Sequence, residues 1–88
     1  MHPCPCCGFE TLEEAPPGTF DICEVCGWED DNVQFHDPDY RGGANAESLR
    51  QHQNRWMSLN ARVGEGIEIS GRHFTRSGDW RPLPPSGR

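Results

Sequence analysis

Two short cysteine runs constrain this chain more than any other feature: Cys4-Pro5-Cys6-Cys7-Gly8 and Cys23-Glu24-Val25-Cys26-Gly27. Each holds a pair of cysteines two residues apart, and 15 residues separate Cys7 from Cys23. A two-residue gap lets a tight turn aim both sulfurs at one point, where backbone N–H groups can hydrogen-bond the thiolates. The residue after the second cysteine often needs a positive φ, which glycine adopts without strain, and both pairs are followed by glycine. Two such turns present four thiolates to one tetrahedral ion about 2.3 Å from each sulfur. The spacing predicts one structural Zn2+ held by Cys4, Cys7, Cys23 and Cys26.

A rubredoxin-like iron centre uses similar turns and is the main competitor for the same ligands. Disulfides are disfavoured if the chain works in a reducing compartment. The N-terminus, MHPCPCC, shows no charged leader followed by an apolar run, so the cytoplasm is the expected location. A thioredoxin-type redox pair calls for one C-x-x-C at a helix start in an α/β sheet, which this pattern does not resemble. A closed four-cysteine site has no open coordination position, so it stabilises folding and does not activate water. Cys6 is the odd thiol; inside the first turn its side chain should point away from the metal, as an exposed, replaceable group. The other readings of Cys6 are a spare ligand, a redox sensor and an intermolecular disulfide.

Composition explains why a metal is needed. Leu, Ile, Val and Phe together make up 14 of 88 residues, and below about a fifth, with substantial net charge, a chain leans toward disorder unless something staples it. The formal charge is -6, there is no lysine, and Arg55, Arg62, Arg72, Arg76 and Arg81 all lie in the second half. The first cationic side chain after the cysteine turns is Arg41, so the zinc module lacks a basic face for tracking phosphates. An acidic front half suits a basic protein partner better than nucleic acid or an anionic membrane. No stretch approaches the roughly 18 apolar residues of a membrane span.

Four stretches of one domain can be read. Residues 1–30 form the zinc module, with Gly8–Leu12 and Thr19–Ile22 alternating as two strands of a hairpin that turns at Pro16-Pro17-Gly18. Residues 31–44 read as an acidic Gly/Pro loop. Residues 45–63 read as a helix capped by Asn45 and ended by Gly64 and Gly66, with Ala46, Leu49, Trp56, Leu59 and Val63 on one stripe that the polar Gln53 interrupts. Residues 64–88 read as an irregular, partly ordered tail whose PLPPSGR end frays. The expected class is a small metal-bound α+β fold: a zinc-ribbon-like hairpin module, one packed helix and the tail. Trp28, directly after the second turn, is expected to cover the module as a core residue. His2, His52 and His73 are expected to be ordinary surface residues.

Glu29, Asp30, Asp31, Asp37 and Asp39 cluster after the second turn. They read as turn-forming residues, as a partner surface, or with His36 as a second metal site. CPCCG, FDICEVCGWEDD and DPDYRGGAN before a helix resemble the bacterial cysteine-rich CPCC family over residues 3–49, and Arg81-Pro82-Leu83-Pro84 is similar to that family's ending. Residues 60–80 depart from it, with Gly and Ser where a longer helical run is expected. The resemblance implies a small zinc-ribbon-like protein with no catalysis attached to it, and a binding or immunity role beside bacterial toxin systems. Three functions compete. The first is a protein-binding module, an immunity or accessory protein for a toxin or other basic partner. The second is a zinc-ribbon nucleic-acid-associated or transcription-accessory protein. The third is an enzyme, disfavoured because no serine sits in an elbow motif. No small-molecule substrate is expected.

Overall fold

In both cysteine turns the backbone closes in the same way. Cys4 N–H donates to Phe9 O at 2.9 Å and Gly8 N–H to Cys4 O at 2.8 Å; Cys23 N–H donates to Trp28 O at 2.9 Å and Gly27 N–H to Cys23 O at 2.9 Å. The computed structural model describes residues 1–85. β1 (His2–Pro3) and β2 (Glu10–Leu12) flank the first turn and pair antiparallel, His2 opposite Leu12. A single bridge, Ile22 to Glu29, flanks the second.

Each turn therefore closes a hairpin of its own, and the expected pairing of Gly8–Leu12 with Thr19–Ile22 does not form. The backbone beside each cysteine already bonds across its own turn. The 19–22 segment pairs instead with the chain leaving the second turn: Phe20 N–H donates to Asp30 O and Asp30 N–H to Asp21 O, both at 2.9 Å.

The stretch expected as an acidic loop contains a short helix, α1 (Asn32–His36). Asp31 caps it, Oδ1 accepting from Val33 N–H at 2.7 Å and Gln34 N–H at 3.2 Å, while Oδ2 accepts from Ala44 N–H at 2.8 Å. Gln34 is fully buried and organises the rest of the loop. Its Nε2 donates to the carbonyls of Tyr40, Asn45 and Glu47 at 2.9–3.1 Å, and its Oε1 accepts from both Asn45 N–H and Asn45 Nδ2. An irregular backbone that must lie against the protein needs such an internal set of donors and acceptors.

The long helix, α2, runs Leu49–Leu59, shorter at both ends than 45–63. Its N-cap is Ser48, not Asn45, because Gln51 three residues on completes a capping box: Ser48 Oγ accepts from Gln51 N–H at 3.1 Å and Gln51 Oε1 from Ser48 N–H at 3.0 Å. Asn45 is used elsewhere, accepting from Glu29 N–H at 2.9 Å and donating to Glu29 O at 2.8 Å. The helix stops at Asn60, whose backbone and side-chain amides both reach Trp56 O, before Gly64 is reached. The buried face carries Leu49, His52, Gln53 and Trp56, whereas Leu59 is 73% exposed. The helix ends just past Leu59, so that side chain has nothing above it to pack on. Gln53 does not interrupt the stripe; it is buried because Nε2 donates to Cys6 O at 2.9 Å and Oε1 accepts from Leu83 N–H at 2.8 Å.

The expected irregular tail begins with a hairpin, and residues 77–85 have no helix or strand. β3 (Gly66–Ile69) and β4 (Arg72–Thr75) pair in regular register, Ile67 opposite Phe74. The turn uses Ser70 and Gly71, both at positive φ (51° and 79°), the arrangement that lets two residues reverse a twisted pair of strands. Phe74 enters the core, Arg76 bridges Phe9, and Ser77 N–H donates to Gly8 O at 2.9 Å. The expected frayed end is held at Leu83, which is half-buried, and at Pro84, whose carbonyl accepts from Arg50; its last residues, 86–88, lie outside the described residues. The fold class is the expected small α+β one, with two antiparallel hairpins and a helix around the cysteines. The core is Cys4, Cys6, Cys7, Phe9, Cys23, Trp28, Leu49, Trp56 and Phe74. No helix among the described residues is long and apolar enough to cross a membrane.

Two measurements check the polar framework. Gln34→Ala strands buried carbonyls and is expected to destabilise by about 1–3 kcal/mol in denaturant titration. The Ala44 N–H, then those of Gln34 and Val33, hold the Asp31 carboxyl below the usual carboxylate range. A lowered folded-state pKa stabilises above the unfolded value and is lost as pH falls through the folded one. Asp31→Asn, which keeps a capping oxygen but loses the charge, should therefore be less stable than the parent chain near neutral pH in denaturant titration. The gap from the parent chain should close on acidification.

Candidate metal centre

The two turns face each other so that each cysteine of one meets a cysteine of the other. Cys4 Sγ lies 3.7 Å from Cys26 Sγ, and Cys7 Sγ lies 3.7 Å from Cys23 Sγ. All four sulfurs lie within 4.8 Å of one another. A tetrahedron with metal–sulfur bonds of about 2.3 Å has edges of about 3.8 Å, so the observed spacing fits one ion at the centre. It does not fit disulfides, which need about 2.05 Å, and all five cysteines are free thiols. The four predicted ligands are thus brought together, Cys4, Cys7 and Cys23 buried and Cys26 half-buried.

The electrostatics of the cluster are those of a cation site. Hydrogen bonds from Cys26, Cys4 and Cys7, with a smaller one from Thr11, hold Cys23 far below an ordinary thiol. Chiefly through their contact with Cys23, Cys4, Cys7 and Cys26 are pushed well above it. One sulfur keeps a negative charge here by accepting hydrogen bonds from the other three, which are thereby held as thiols. A divalent ion removes that competition by favouring the thiolate at all four at once. Thr11 Oγ1, on β2, donates to Cys23 Sγ at 3.0 Å, and Cys6 N–H approaches Cys4 Sγ at 3.4 Å.

The glycines after each pair take φ of 80° (Gly8) and 79° (Gly27), as expected. Gly8 answers a second demand. A Cβ there would sit 2.4 Å from the Trp80 indole, which lies across the turn and donates from Nε1 to Pro5 O at 3.0 Å. At Gly27 a Cβ would meet nothing within 4 Å.

Several residues around the centre carried no recognisable signal. Arg76 lies over the rings of Phe9, Trp80 and Trp56, at 4.6, 5.4 and 5.8 Å, while its Nε donates to Cys7 O at 3.0 Å. Two histidine and cysteine expectations fail. Cys6 is 0% exposed because α2 lies over the first turn, with Gln53 on its carbonyl. His52 is buried on α2, where its Nε2 donates to Cys26 O at 2.8 Å and its ring meets Trp28 edge-on at 5.3 Å. Trp28 is a core residue, as expected, while His2 and His73 are exposed. A family model described as cysteine-rich CPCC matches residues 2–70. The chain belongs to the cysteine-rich CPCC family. No curated protein matches it.

The acidic residues of this CPCC protein divide. Asp30 and Asp31 are buried and are not surface. Asp30 Oδ2 accepts from Thr19 N–H at 2.9 Å and Thr19 Oγ1 at 2.8 Å, fixing the chain before the second turn, and Asp31 caps α1. Both lie where backbone N–H groups would otherwise be buried without partners, which is why they point inward. Glu29 is half-buried, and its backbone is tied to Asn45. Asp39 pairs with Arg50 at 2.7 Å, and Asp37 is exposed at the end of α1. Neither they nor His36 join a metal-ligand grouping among the described residues; the second such grouping is Cys6, Cys26 and His52.

The two glycines give a paired test. Gly27→Ala is expected to cost about 1 kcal/mol for its positive φ, whereas Gly8→Ala adds a further loss of about 1–3 kcal/mol from displacing Trp80. Denaturant midpoints of the two metal-loaded variants check the order.

Proposed function

We propose that this chain is a small, non-catalytic protein-binding module whose fold is held by one structural Zn2+. The observation that carries the zinc part is the pair of 3.7 Å sulfur–sulfur contacts that bring together four sulfurs from two turns with the same backbone closure. Four thiolates complete the shell of such an ion and leave no position for water. Zinc binding to sites of this kind is worth about 10–16 kcal/mol, against about 5–15 kcal/mol of total stability for a domain. The metal thus accounts for a fold whose apolar centre is two phenyl rings, two indoles and one leucine around the sulfurs. A cytoplasmic setting suits free thiols of this kind.

The partner is proposed to be a basic protein, a bacterial toxin in the immunity version of this reading. Supporting it are the -6 charge and two apolar side chains beside the second turn, Phe20 and Ile22, 59% and 63% exposed, flanking Asp21. Phe20 holds φ at 60°, a conformation an ordinary residue adopts only when its surroundings impose it. The alternative is nucleic-acid association. Against it, Arg55 is committed to Glu47, Arg72 to Glu24, Arg76 to Cys7 O, and Arg81 to Gly78 O and Trp80 O. Those guanidinium groups are spent within the molecule and do not form a phosphate-tracking stripe.

Protein purified without added metal should carry one zinc per chain by elemental analysis, and chelation should abolish its circular dichroism signature. A fold that survives metal removal overturns the zinc reading. Affinity capture from native lysate should recover a basic protein on the wild-type bait, with recovery falling as salt rises. A Phe20→Ser bait should lose it, and equal recovery on both baits sinks the proposed surface.

A further inference from the structure

The fifth cysteine is not used by the centre described above, yet it is not at the surface. Cys6 is 0% exposed, and its Sγ, the Cys26 Sγ and a His52 ring nitrogen all lie within 4.8 Å of one another. The grouping is lopsided in a way that matters chemically. Cys26 is the half-buried member of the four ligands, so an oxidant arriving from solvent meets it before the other three. The one cysteine not needed for the ion stands next to it. Both are held in place: Gln53 bonds the Cys6 carbonyl at 2.9 Å and His52 the Cys26 carbonyl at 2.8 Å, so one turn of α2 grips both cysteine turns.

We propose that Cys26 and Cys6 form a redox modification site, in which a hydroperoxide oxidises Cys26 and Cys6 closes a disulfide onto it. The Cys26 thiolate sulfur attacks the terminal oxygen of the hydroperoxide. The O–O bond breaks, the alkoxide or hydroxide takes a proton from solvent and leaves, and Cys26 becomes a sulfenic acid. The Cys6 sulfur then attacks the Cys26 sulfur, the S–O bond breaks, and the departing hydroxide leaves as water with the Cys6 thiol proton. Two electrons pass from the two sulfurs to the hydroperoxide, which ends as an alcohol (or water) and one water. The disulfide removes one of four ligands, so the ion is held by three thiolates and is released. Cys6 keeps the damage reversible, because a sulfenic acid without a neighbouring thiol goes on to the sulfinic acid, which thiols do not reduce.

The inference rests on the zinc reading for its consequence but not for its bond. Zinc is therefore counted before oxidant is added, and a metal-free result there counts against that reading alone. The protein is then treated with hydrogen peroxide, released zinc is followed with a chromogenic chelator, and disulfides are mapped by mass spectrometry. The wild type should lose two hydrogens, yield a Cys6–Cys26 cross-linked peptide, and rebind its zinc after dithiothreitol. Cys6→Ser should still carry zinc before treatment, but should gain two oxygens on Cys26 and fail to rebind after reduction. Mapping on the wild type stands even if that variant does not fold, and Cys6→Ala offers a second. A cross-link between two of the four ligands, no cross-link at all, or equal recovery in Cys6→Ser overturns the proposal.

Discussion

Four sulfurs held within contact distance of each other are a cost until a cation sits among them. Thiols packed 3.7 Å apart compete for protons, and only one of them, Cys23, keeps its negative charge with ease. A divalent ion would convert that competition into four bonds, and the free energy gained at such sites is comparable to the whole stability of a domain this size. The rest of the structure can be understood as a way of bringing two cysteine turns face to face and keeping them there.

The first turn is gripped from two sides by segments remote in sequence. Gln53 of α2 bonds the Cys6 carbonyl, and Arg76 and Trp80, beyond β4, bond the carbonyls of Cys7 and Pro5. Every one of these contacts uses a backbone oxygen of the turn, so the turn's shape is fixed without touching the ligand side chains. Arg76 adds a cation among three aromatic rings, an arrangement that also shields the guanidinium stem from water. The second turn is held by His52 from the same helix, and by Asn45, which ties the strand leaving it to the α1 loop.

Between these clamps, polar side chains do what apolar ones do in larger domains. Gln34, Asp30, Asp31 and Gln53 are buried and occupied by backbone partners, so long irregular stretches can pack closely without orphaned N–H or C=O groups. A chain poor in aliphatic residues can order itself this way, even though Asp30 Oδ1 and the Trp28 Nε1–H are buried without a hydrogen-bond partner. The acidic run after the second turn is largely part of this wiring, which leaves Asp37 as its exposed member.

The sequence by itself determined the metal-ligand set, the glycine that must follow each pair, the core position of Trp28 and the α+β class. These follow from local rules: two-residue spacing fixes where two sulfurs point, and a positive φ selects glycine regardless of what lies further along the chain. Only the tertiary structure decided how the strands pair, where α2 starts, that 66–75 is a hairpin packed on the first turn, that Cys6, His52, Asp30, Asp31 and Gln34 are interior, and that the half-buried Arg76 lies over three aromatic rings. Alternation near the cysteines marked strands but not their partners, because the turns had already taken the adjacent backbone groups. Asn45 and Ser48 are equally good caps in isolation; Gln51 and the pull of Glu29 separated them. A polar side chain carries no mark of burial in the sequence. Its place is set by which distant backbone groups need a partner, and those are known only once the chain has closed around its sulfurs.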